Sequence, residues 1–181
     1  MIIYASEFNE IPNALSNNVE LKDKMLSLIS SKKIAGKAIE GGDRVEEFIA
    51  ILSQLTRGEL RLDDAIRAVE TNLPRYTSIH SGDNRVFASS WAERLTRTQF
   101  SRFYNQAVLE IEIAKGRNEC FVPPSSQEQA SSQCSQVLAG RSHDVSHLLK
   151  LLVTSYEDGN WDKAPKVPDH PHCTHVIKPM S

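Results

Sequence analysis

Apolar positions recur with helical spacing over most of the chain. Leu21, Met25, Leu28 and Ile29 stand at i, i+4, i+7 and i+8, one face of a helix. Gly41 and Gly42 interrupt this pattern. Asp43 then occupies an N-cap position ahead of a second stripe: Val45, Phe48, Ile49, Leu52 and Leu55. Gly58 stops that helix. Leu62, Ile66 and Val69 continue the period in a third, which Pro74 ends. After the polar connector Ser81-Gly82-Asp83-Asn84 comes the longest uninterrupted candidate, residues 85–115. It contains no Gly or Pro before Gly116, and Val86, Phe87, Trp91, Leu95, Phe103, Val108 and Ile111 supply its apolar stripe. One nearly continuous helix is expected there, with Trp91, Leu95 and Phe103 packed inside.

Beyond Gly116 the pattern shortens. Cys120-Phe121-Val122 reads as an extended piece stopped by Pro123-Pro124, and the polar run Ser125–Gln133 as an exposed loop. Val137, Leu138, Val145, Leu148, Leu149 and Leu152 suggest a further helix interrupted at Gly140. Asp158-Gly159-Asn160 is a turn, and Pro165, Pro168 and Pro171 keep the tail extended. Val176 and Ile177, a β-branched pair, suit a short strand. The predicted fold class is α+β, mainly helical, with a long central helix and a small C-terminal β element. An N-terminal helical module at 1–78, with its own core, would precede a second domain at 79–181.

Composition narrows the function classes. The 181 residues are 40% hydrophobic and 24% charged, with a net charge of −2. That balance gives no global basic field for nucleic acid. No apolar run approaches the ~18 residues of a membrane span, and the N-terminus lacks the basic and apolar regions of a signal peptide. Three cysteines form no even disulfide framework, so a reduced chain inside the cell is expected.

Candidate chemistry concentrates in the tail. His170, His172, Cys173 and His175 lie within six residues of one another. Imidazole and thiolate are the usual zinc ligands, and Cys134, His170, Cys173 and His175 make a candidate set for one structural zinc ion. His143, His147 and Cys120 are spares. The alternative is a metal-free turn in which the imidazoles hydrogen-bond and the thiols pack. On the long helix, Arg94 and Arg97 share a face at i, i+3, whereas Arg97 and Arg102 are about 140° apart on an ideal helix. Arg94, Arg97, Arg102, Tyr104 and Asn105 are candidates for contact with a partner or with DNA phosphates. A Cys–His nucleophile can be drawn from Cys134 or Cys173 with His143 or His147. No Gly-rich phosphate loop, His-Glu-x-x-His or Gly-x-Ser-x-Gly motif is present, and no enzyme activity or small-molecule substrate is expected.

Two ordered signatures carry a resemblance. The first is Arg97-Thr98-x-x-x-Arg102-x-Tyr104-Asn105. The second is Cys134-x-x-x-Leu138-x-Gly140, followed by Pro168-x-His170-Pro171-x-Cys173-x-His175-x-Ile177-x-Pro179. Together they resemble the phage Mu F-type head morphogenesis, or minor head, family over roughly residues 85–181. In place of the family's first cysteine stands Ser131, the Cys134 to Leu138 step is one residue longer, and the usual Asp-x-Arg reads Gln127-x-Gln129. The resemblance implies a structural minor capsid protein of a tailed phage or prophage. Such a protein is made in the bacterial cytoplasm and docks at the portal or inner capsid of the virion, near packaged DNA. It also implies that the tail returns to Cys134. A toxin-associated domain with a Cys/His site, or a zinc-binding interaction module, are the alternatives.

Overall fold

The helices form where the apolar stripes lie, and their ends follow local chemistry. The computed structural model describes residues 1–181. Helix α1 (Ile11–Asn17) carries a Pro in its first turn, where no backbone donor is needed. Helix α2 (Val19–Ser31) starts at Asn18, whose side chain accepts from the Leu21 amide at 3.1 Å. Helix α3 (Arg44–Arg57) ends at Gly58, at φ +80°. That left-handed conformation suits glycine and lets the Gly58 amide return to the Gln54 and Leu55 carbonyls. Asp43 precedes α3 but makes no side-chain cap, contrary to the sequence expectation. Helix α4 (Leu62–Asn72) ends against the buried Arg44 guanidinium, which donates to the Leu73 and Pro74 carbonyls at 3.0 and 2.9 Å and so satisfies orphan helix-end acceptors.

The long helix α5 spans Trp91–Ala114. It is unbroken, but it begins six residues later than the sequence suggested, because Ser90 sits at φ +63° and residues 85–90 form turns. Its middle, Gln99–Leu109, is buried on every side. This is no amphipathic surface helix; it is the axis around which the molecule packs. Phe103 lies inside as expected, whereas Trp91 and Leu95 are only half-buried. Trp91 instead packs edge-on against Phe87, with ring centroids 5.0 Å apart.

After α5, strand β1 (Glu119–Val122) lies between two antiparallel neighbours in the order β2-β1-β3. Strand β2 (Arg141–Asp144) pairs Cys120 with His143, and β3 (Lys178–Pro179) pairs Cys120 with Pro179. The helix expected between 137 and 152 is therefore replaced by a short α6 (Gln133–Val137), then β2, then α7 (Val145–Leu152). The C-terminal strand also lies one residue beyond Val176–Ile177, both of which are fully buried. The β element is a small antiparallel sheet, and the fold class is α+β, mainly helical.

A single apolar core runs from Ala5 to Ile177. Helix α2 and helix α4 pack on α5 from one side and α7 from another. The separate core expected for residues 1–78 is thus corrected: the helices before residue 78 bury their stripes against the long helix that follows.

Tyr104 and Asn105 tie both ends of the chain to this axis. The Ala5 amide donates to the Tyr104 hydroxyl at 2.8 Å, and the Ile177 amide donates to Asn105 Oδ1 at 2.7 Å. Asn105→Ala is expected to leave the Ile177 amide unpaired in the core, at a cost of ~1–3 kcal/mol. Urea denaturation measures the cost, and hydrogen exchange at Ile177 should accelerate. An unchanged midpoint would show that Asn105 holds nothing.

Candidate metal centre

Four potential ligands from three parts of the chain meet beside the tail. Glu128 comes from the loop after β1. Cys134 is the second residue of α6, whose start is fixed by Ser132 accepting from the Ser135 amide. His170 and Cys173 lie on one turn, closed by the Cys173 amide donating to the His170 carbonyl at 3.0 Å. That turn is anchored from below, since the Tyr156 hydroxyl donates to the Pro168 carbonyl at 2.6 Å.

The ligand atoms of Glu128, Cys134, His170 and Cys173 all lie within 4.8 Å of one another. Cys134 Sγ is 3.8 Å from His170 Nε2, and His170 Nε2 is 3.2 Å from Glu128 Oε1. Ligands 2.0–2.3 Å from a tetrahedral ion are spaced about 3.3–3.8 Å apart. Two pairs therefore stand at ligand spacing already, and the widest closes with a movement of about 1 Å. The second Glu128 oxygen accepts from the Thr174 amide at 2.9 Å and the Thr174 hydroxyl at 3.2 Å. Thr174 thus fixes the carboxylate with one oxygen turned to the group, as outer-shell partners do in metal sites.

The charges favour binding. A hydrogen bond from the Cys173 thiol, helped by His170, His175 and Ser132, pulls the Cys134 thiol far down and holds it as a thiolate. The same hydrogen bond, together with burial, pushes Cys173 up, so the pair shares one proton. Hydrogen bonding to Cys134 also raises His170 above the ordinary imidazole range. Thiolate is the form that binds metal, so the residues present fit a divalent ion and can hold one.

The sequence set is partly rearranged. Cys134, His170 and Cys173 come together as expected. His175 lies alongside but is otherwise engaged: Nδ1 faces the Pro123 carbonyl at 3.3 Å, and Nε2 faces the Ser135 hydroxyl at 3.0 Å. Because the carbonyl only accepts, Nδ1 donates to it and the hydroxyl donates to Nε2. Glu128 occupies the fourth position, and its loop was read as exposed although its side chain is 6% accessible. A carboxylate in a Ser/Gln-rich run gives no sequence signal of burial. The spares stay apart. His143 Nε2 meets the Leu138 carbonyl at 2.8 Å, and the His147 amide is capped by Asp144. Burial pushes the Cys120 thiol up to about 12.

The basic contact face on α5 does not form. Arg102, Tyr104 and Asn105 are fully enclosed, which withdraws them from any partner or DNA surface. Arg97 is half-buried, with its guanidinium 4.2 Å from the Phe8 ring centroid, and only Arg94 is exposed. Cys134 is likewise fully buried, so a nucleophile there has no open approach for a substrate. No helix is long and apolar enough to cross a membrane. No family model, curated protein or solved structure matches the chain.

Proposed function

We propose that this chain is a structural minor head protein of a tailed phage or prophage. In this reading it docks at the portal or inner capsid, and one zinc ion clamps its tail. The observation that carries the reading is the meeting of the two halves of the tail signature. Cys134 and His170, 36 positions apart, are brought to contact distance, with Cys173 beside them. The signature order then has a physical purpose, because a metal at this point would fix residues 168–175 against α6. Such a role is protein–protein docking without a chemical step. The enclosed Arg102, Tyr104 and Asn105 favour a protein partner over DNA, since they leave Arg94 as the one fully exposed cation of the candidate set. A zinc-stabilised interaction module outside a virion rests on the same four ligands.

The test is particle composition. Induction of the strain carrying the gene should yield heads in which mass spectrometry finds this chain, and the portal protein should co-purify with the tagged chain. Heads that lack it, with no portal in the pull-down, would overturn the head-protein reading and leave the interaction module.

A further inference from the structure

The geometry points to a second binding site, for an amphipathic organic anion: an apolar body of one or two rings, or an equivalent aliphatic chain, carrying one acidic head group. The site is a cavity of about 560 Å³ where the first helices meet α5, within the usual size of a small-molecule site. It lies apart from the four metal-site ligands, and the inference is independent of the head-protein reading.

Its apolar surface comes from Phe8, Leu55, Leu60, Leu62 and Phe100. Phe8 and Phe100 stand edge to face, with centroids 6.2 Å apart. Above this floor stand four cations, Lys22, Arg57, Arg61 and Arg97, against the single carboxylate of Asp63. None of the four pairs with a carboxylate, although seven other ion pairs form in the molecule. None donates a side-chain hydrogen bond either. Arg97 is the most informative: its guanidinium lies flat on Phe8, and its Nε is buried without a partner. A buried donor left open is costly unless something fills it. An anionic head group would supply the missing acceptor, and the Phe8–Phe100 pair would take the apolar body. The cavity is lined from α1, α2, α3, α4 and α5 and by Gln127. It has no local sequence motif, so a sequence reading finds no small-molecule site.

The test uses 8-anilinonaphthalene-1-sulfonate, an aromatic anion, and N-phenyl-1-naphthylamine, its uncharged counterpart. The full-length protein should bind the sulfonate at one saturable site and the neutral probe about tenfold more weakly or less, a tenfold step being the effect of one moderately strong charge contact. Arg57 and Arg61 are exposed, so Arg57→Gln/Arg61→Gln should keep the fold, checked by circular dichroism, and weaken the sulfonate about tenfold. Asp63→Asn, which removes the only opposing charge, should tighten it. Three results would each overturn the site: no saturable binding, equal affinity for the two probes, or dissociation constants unmoved by both variants.

Discussion

Arg102→Ala should be among the most damaging single substitutions in this protein, costing about 3–5 kcal/mol, as the removal of one member of a buried charged network does. The side chain has no exposure. Its Nε donates to Gln106 Oε1 at 3.0 Å, one terminal nitrogen reaches Gln99 Oε1 at 3.3 Å, and the other reaches the Lys33 carbonyl at 3.2 Å. Glu157 stands 3.8 Å away, and the guanidinium also lies 4.0 Å from the centroid of Phe103. Burial pulls its pKa down to about 10, which still leaves it charged at neutral pH. Truncation would strand two glutamine oxygens and a carbonyl in the core and open a void beside them. Arg94→Ala, on the exposed side of the same helix, should stay within about 0.5 kcal/mol. Chemical denaturation of both variants decides the matter. Similar midpoints for the two would mean that Arg102 is not the internal strut its contacts describe.

Zinc and its ligands should give the second large effect. On the proposed reading, protein purified without chelator carries one zinc per chain. Cys134→Ala and Cys173→Ala should each lose it and the stability it contributes, about 4 kcal/mol when free zinc is ~1,000-fold above its dissociation constant. The structure also ranks two less obvious variants. Glu128→Gln should weaken zinc more than His175→Gln, because the carboxylate faces the group while His175 is held by Pro123 and Ser135. The ion should leave on acidification, since its thiolate and imidazole ligands must be deprotonated to bind. Elemental analysis with melting curves, before and after chelator, reads all of this. Metal-free protein would reject zinc. Zinc retained by Glu128→Gln but lost by His175→Gln would put His175 in the coordination sphere.

These contrasts show what the sequence could and could not disclose. Helices α2 to α4 were legible because their apolar spacing is regular and Gly58 and Pro74 punctuate it. The run 91–114 was legible because nothing in it breaks a helix. Its surroundings were not. Arg102, Asn105, Gln99 and Gln106 look like a solvated face, and they are buried only because residues distant in sequence satisfy them. The meeting of Cys134 with His170 and Cys173 could be anticipated from the ordered signature. Glu128 could not, since its burial depends on Thr174, 46 positions away. Strand β2 was hidden for the same reason: Arg141–Asp144 lacks apolar alternation, and its extended shape comes from pairing with β1.

The way the two ends of the chain are fastened also governs when the molecule can be finished on the ribosome. The Phe8 amide donates to the Thr174 carbonyl at 2.8 Å, and Lys178 Nζ reaches Ser6 Oγ at 3.1 Å. The earliest residues to leave the exit tunnel thus have partners among the last to be made. Helices α1 to α4 can form during synthesis, but the segment before them stays unfastened until translation is nearly complete. A prematurely stopped product would expose both Phe8 and the middle of α5, a sticky surface that proteases and chaperones can recognise. Intact and truncated copies would therefore differ in far more than a few missing residues.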